Sequence, residues 1–142
     1  MRILPRKSII SLLGVTLLFP VAGAASPVQD WFPEAPPLPA PPGDVVRVAT
    51  VAELYAAVDR AQSGETILVA DGIYPMPRTL VIKTDHVTLR GAGGERAKVV
   101  LNFTDCRHHE GIAISYCSDV TIADLTVQNV RQNGIKINSN HE

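Results

Sequence analysis

The sequence predicts an all-β fold, a right-handed parallel β-helix with three short strands per coil and an N-terminal capping α-helix. Three observations carry that prediction. Short apolar triplets recur from Thr66 onward, most with large aliphatic first and third residues. They repeat at coil-like spacing: Gly111-Ile112-Ala113-Ile114 returns as Gly134-Ile135-Lys136-Ile137, and Val87-Thr88-Leu89 returns as Val120-Thr121-Ile122. One amphipathic segment precedes the triplets, and its apolar face needs something to lie on.

Bulk properties narrow the field first. A chain of 142 residues has room for one domain. Hydrophobic residues at 46% suffice for a packed core, and aromatics at 5% are few for a groove that reads bases by stacking. The net charge of -1 supplies no basic field, so neither nucleic acid nor an anionic membrane surface is an expected partner.

Residues 1–24 read as a signal peptide. Arg2, Arg6 and Lys7 form a basic start, and the apolar run Ile9 to Phe19 is too short to span a bilayer. Pro20 breaks the run, and Ala22-Gly23-Ala24 offers a cleavage site. The alternative is a retained anchor. With cleavage, no membrane span is expected, and the protein is secreted or periplasmic. Residues 25–44 read as a linker: Pro33, Pro36, Pro37, Pro39, Pro41 and Pro42 bias it to extended polyproline conformation.

Residues 45–142 read as the β-helix coils, with the chain stopping inside one. Thr50-Val51-Ala52-Glu53 is a capping box. Val51, Leu54, Tyr55, Val58 and Ala61 then recur at helical spacing, and Ser63-Gly64 marks the end. After that the period becomes 2, which puts the first and third residue of each triplet on one face. The middle residues Thr88, Thr121, Thr126 and Lys136 suit a wet outer face. No helical pattern separates the triplets, which argues against βαβ units. Stacked coils about 4.8 Å apart would pair every strand with the coil before and after. Gly91-Ala92-Gly93-Gly94-Glu95 reads as a loop, and Asn138-Ser139-Asn140-His141-Glu142 as a turn.

With these residues in hand, the segment Val51 to Asn138 resembles the pectate-lyase-like superfamily of right-handed β-helices. The resemblance lies in Gly64-Glu65-Thr66-Ile67-Leu68-Val69-Ala70-Asp71-Gly72-Ile73-Tyr74 and Val87-Thr88-Leu89-Arg90-Gly91-Ala92-Gly93. It continues through Gly111 to Ile114, Val120 to Val127 and Asn133 to Ile137. It implies a fold; the superfamily spans polysaccharide lyases, glycoside hydrolases, carbohydrate-binding repeats and surface proteins. Many members place an asparagine in the bend between the second and third strands of a coil. Here that place holds Asp124, so no long asparagine ladder is expected, and Asn129 is left to bond backbone in the next turn.

The chemistry such a family implies is elimination, with a cation to neutralise a uronate carboxylate and a Lys or Arg base, or hydrolysis by paired carboxylates. Lys136 and His108 are the catalytic candidates, and Asp105 and Glu110 the metal candidates, beside His109 in one loop. No cofactor is required by the residues, although calcium would suit a lyase. Polysaccharide is the expected partner. The competing expectations are a solvated turn at 105–110 and a solvating Lys136 on the outer face. Cys106 and Cys117 form a disulfide, remain free thiols or join a metal site. Asn102-Phe103-Thr104 is a glycosylation sequon. Two functions compete: a carbohydrate-active β-helix, a lyase of acidic polysaccharides when full length, and a non-catalytic carbohydrate-binding or cell-envelope scaffold.

Overall fold

A computed structural model describes residues 36–41 and 43–138. The segment expected to be a signal peptide, the first part of the expected linker with Trp31 and Phe32, and His141 and Glu142 lie outside the described residues. What is described is mostly β, with parallel strands in three sheets and one short helix.

The first element is β1 (Val45–Val48), which the triplet pattern does not reveal. The helix α1 (Val51–Arg60) follows, with the capping box formed: Thr50 Oγ1 accepts from Glu53 N, and the Glu53 carboxylate accepts from Ala49 N and Thr50 N. These bonds hold the Glu53 carboxyl below the usual carboxylate range, the Ala49 amide contributing most. Then come β2 (Thr66–Val69), β3 (Gly72–Pro75), β4 (Leu80–Ile82), β5 (Thr88–Gly91), β6 (Val99–Asn102) and β7 (Glu110–Ser115). The last three are β8 (Thr121–Ala123), β9 (Thr126–Gln128) and β10 (Asn133–Asn138).

The chain visits three sheets in turn. The first sheet has the order β1-β2-β5-β8, the second β3-β6-β9, and the third β10-β7-β4. Every pairing among them is parallel. The expected stacking of the third sheet is found in register, Leu80 with Ile112 with Ile135, and Ile82 with Ile114 with Ile137. The 33-residue shift is found as well, Thr88 opposite Thr121 and Leu89 opposite Ile122. Both registers follow from period 2, because a one-residue slip would turn each aliphatic column outward.

The core is the set of inward columns. Ile67, Leu89, Tyr74, Leu101, Leu80, Ile82 and Ile112 are all buried, and Phe103, Met76, Val87 and Val99 fill the corners between sheets. Leu54, Tyr55 and Val58 of α1 are buried against β1, β2 and β4. The third-sheet column ends in air: Ile135 and Ile137 are 48% and 71% exposed, as the last described strand of that sheet.

Three expectations are corrected. The helix stops at Arg60 with Ala61 as its C-cap; the glycine that was to end it, Gly64 (φ +87°), serves the next turn. There Glu65 N bonds Gln62 O instead. Asn129 does not bond backbone: its Nδ2 donates to Asn102 Oδ1 at 2.9 Å. The bridge considered between Cys106 and Cys117 is not formed, and both are free thiols. Cys106 lies in the core, while Cys117 Sγ donates to Ile82 O at 3.5 Å and burial pushes its thiol up.

Close stacking leaves Gly91 no room for a side chain. A Cβ there would stand 2.1 Å from the Asp124 carbonyl oxygen of the next coil. Two stability changes are expected. Leu54→Ala, at a fully buried site, should cost about 2–5 kcal/mol in a denaturant titration; a loss under about 0.5 kcal/mol would show that the helix does not pack on the core. Gly91→Ala should cost at least roughly 1–3 kcal/mol, as overpacking does, while Gly94→Ala, whose Cβ meets open space, should cost less despite its φ of +73°.

Candidate functional site

The polar chemistry collects at two corners of the coil. The first joins the second sheet to the third and is built from three loops on successive coils: 76–79, 103–109 and 129–132. Hydrogen bonds stack these loops. Thr79 Oγ1 donates to Glu110 O at 2.7 Å, and Thr79 N to His108 Nδ1 at 3.4 Å. Gln132 N and Asn133 N both donate to His109 O, and Arg131 Nη1 reaches Arg107 O at 3.5 Å. The result is one strip along the stacking direction with Arg78, Arg107, His108, His109 and Arg131 at the surface.

Lys136 and Glu110 meet on this strip. Lys136 Nζ donates to Glu110 Oε1 at 3.2 Å, with side chains 44% and 24% exposed. A pair this wet contributes about 0–1 kcal/mol, so its role is placement more than stability. His108 is exposed and accepts from Thr79 N through Nδ1. Asp105 is exposed in the same loop, and among the described residues no group of three His, Cys, Asp or Glu side chains assembles that could hold a metal ion. The structure thus joins two candidates, Lys136 and Glu110, places His108 on the adjacent loop, and brings Asp105 to neither.

Arg78 is fixed from below. Its guanidinium stacks 4.0 Å from the Tyr55 ring centroid, and the Tyr55 hydroxyl donates to Arg78 O. Burial pushes the Tyr55 phenol up, which keeps that donor protonated. Asp59 stands 3.9 Å away on the same side, a loose surface pair. Among the described residues, Arg107 and Arg131 have no carboxylate within 4 Å, and the strip carries more cations than anions.

The second corner joins the third sheet to the first. The 33-residue shift brings Asp85 beside Ser118 and His86 beside Asp119. Asp85 Oδ1 accepts from Ser118 N at 2.7 Å and from Ser118 Oγ at 3.0 Å. His86 Nδ1 lies 3.3 Å from Asp119 Oδ2, and His86 N donates to Ser118 O. His86, Tyr116 and Asp119 all have left-handed backbone, with φ of 59°, 57° and 54°. The sequence repeat contained this constellation, but its residues are ordinary turn formers, so nothing in their types marked them.

Comparison with family models, with curated proteins and with solved structures finds no match. Among the described residues no helix is long and apolar enough to cross a membrane.

The Ser118 amide and hydroxyl hold the Asp85 carboxyl below the ordinary aspartate range. A depressed folded pKa contributes stability that is present above the unfolded value and lost as pH falls through the folded one. Asp85→Asn should therefore flatten the stability profile below about pH 4 and leave its shape at neutral pH unchanged. Parallel profiles for the two proteins between pH 5 and pH 2.5 would show that this bond is not formed in solution.

Proposed function

We propose that the chain forms coils of a right-handed parallel β-helix capped by α1, that it is exported, and that it binds acidic polysaccharide along the cationic strip. The observation that carries this reading is the gathering of exposed Arg78, Arg107 and Arg131 on three neighbouring loops, with Lys136 and His108 beside them. Successive coils are about 4.8 Å apart. A polyanion lying along the stacking direction meets a cation on each coil, which suits a repeating acid better than a compact ligand. The resemblance to pectate-lyase-like proteins supports the same class of partner.

Within that reading the chemistry of the strip is binding more than cleavage. A lyase base must take a proton, and Lys136 stands against the Glu110 carboxylate at the surface. The lyase reading keeps one supporting observation, the meeting of Lys136 and Glu110 beside His108, and calcium would be the ion it calls for.

The test is to titrate the protein with polygalacturonate, alginate and chondroitin, with and without calcium. Binding should weaken steeply as salt rises, and Arg107→Ala with Arg131→Ala should lower affinity roughly tenfold or more, about 1.4 kcal/mol. No unsaturated product absorbing in the ultraviolet should form. Absence of salt-sensitive binding would remove the reading. An ultraviolet signal lost in Lys136→Ala or His108→Ala would replace binding by elimination.

A further inference from the structure

The outward face of the first sheet is covered at β2. In β2, Ile67 and Val69 face the core, so Thr66 and Leu68 face away from it. Outward residues of a surface sheet are normally wet, yet Thr66 is 1% exposed and Leu68 7%. Thr66 stands in register with Thr88 and Thr121, which gives one hydroxyl per coil down the face. Beside this column run Leu68, Arg90 and Ala123.

The cover over Thr66 is the proline-rich segment. Leu38, Pro39 and Pro41 enclose a groove of about 170 Å³ with Thr66, Thr88, Arg90 and Thr121. Arg90 Nη1 donates to Pro39 O at 3.0 Å, a contact between residues 51 apart in sequence. The same guanidinium reaches down its column, where Nη2 stands 2.9 Å from Asp124 Oδ2. That carboxylate oxygen is buried and lies off the N–H direction of any donor, so Arg90 neutralises it by charge without a formed hydrogen bond. Arg90 and Asp124 are 13% and 23% exposed, so this contact is shielded in a way the other ion pairs are not.

We propose that residues 36–41 are a strap docked on the first sheet, with Arg90 as its latch, and that this face recognises an extended proline-rich strand. The chemistry fits such an occupant. Prolines carry no N–H, so a proline-rich strand offers carbonyl acceptors and ring surface with few donors, here Leu38 and Ala40 alone in residues 36–41. The face offers the complement: a fixed guanidinium that donates, and threonine methyl and hydroxyl groups that pack or bond. An extended polyproline chain is already ordered, which lowers the entropy cost of docking. The strap is therefore more than a spacer. Its release would uncover Thr66 and leave Arg90 with Asp124 alone.

The test uses the full chain and a prolyl-specific endoprotease, with cleavage after Pro37 or Pro39 located by mass. Docking should protect these bonds. Arg90→Ala should raise the cleavage rate roughly fivefold, the change that one net hydrogen bond of about 1 kcal/mol carries, and Arg90→Lys should fall between the two. Leu38→Ser, which leaves the Arg90–Asp124 pair intact, should also speed cleavage. In the Leu38→Ser protein labelled with ¹⁵N, a synthetic peptide of residues 34–43 should return the Thr88, Arg90 and Thr121 amides toward their wild-type shifts. Equal cleavage rates in wild type, Arg90→Ala and Leu38→Ser would overturn the strap. Unchanged amide shifts at millimolar peptide would overturn recognition of a proline-rich strand.

Discussion

No strand of this chain can satisfy its own backbone or bury its own side chains alone. Each strand has three to six residues, and every ladder bond it makes goes to a strand of another coil. The parallel ladder between coils is thus the constraint on which everything else rests. It fixes the register, the register lines up the aliphatic columns, and the columns make the core. It also explains where the structure is tight. Gly91 sits where the Asp124 carbonyl of the next coil crosses it, and Gly111 sits against Gly134 O, at 2.7 Å from the place a Cβ would take.

The same ladder builds the surface features. Once coils are in register, any residue type repeated at the coil spacing becomes a line along the molecule. Threonine at 66, 88 and 121 becomes a hydroxyl column in register, and the neighbouring loops bring Arg78, Arg107 and Arg131 to one corner. Neither feature exists in any single coil. The functional proposals rest on these features, and not on a cavity. A recess of about 390 Å³ lies among Arg96, Ile122, Asp124, Leu125, Val127 and Ile135, and neither proposal uses it.

Much of this was legible in the sequence because the repeat has a simple physical cause. Gly111 to Ile114 and Gly134 to Ile137 match because each presents two isoleucines to the same face, in register with Leu80 and Ile82. The capping box was legible for the same reason, a local hydrogen-bond need met by local residues. What escaped the pattern had no such signature. Val45–Val48 pairs with the edge that β2 offers, and it stands outside the repeated triplets that begin at Thr66. Gly72–Pro75 has one aliphatic, Ile73, and that one faces outward at 72% exposure, while Tyr74 turns in. The Lys136–Glu110 meeting spans 26 residues and a coil boundary, so type and proximity in sequence could nominate both residues but not join them. The His86–Asp119 and Asp85–Ser118 contacts were implied by the 33-residue shift, yet only register converts that shift into distance.

Inter-strand proton contacts by NMR test the ladder most directly. In-register parallel stacking predicts backbone contacts that link Val81 to Ala113 and Ala113 to Lys136, and others that link Thr66 to Thr88 and Thr88 to Thr121. Their intensities should follow a parallel ladder, with no close α-proton pairs across strands. Close cross-strand α-proton pairs, the mark of antiparallel neighbours, or contacts from Ala113 to only one of Val81 and Lys136, would contradict the account.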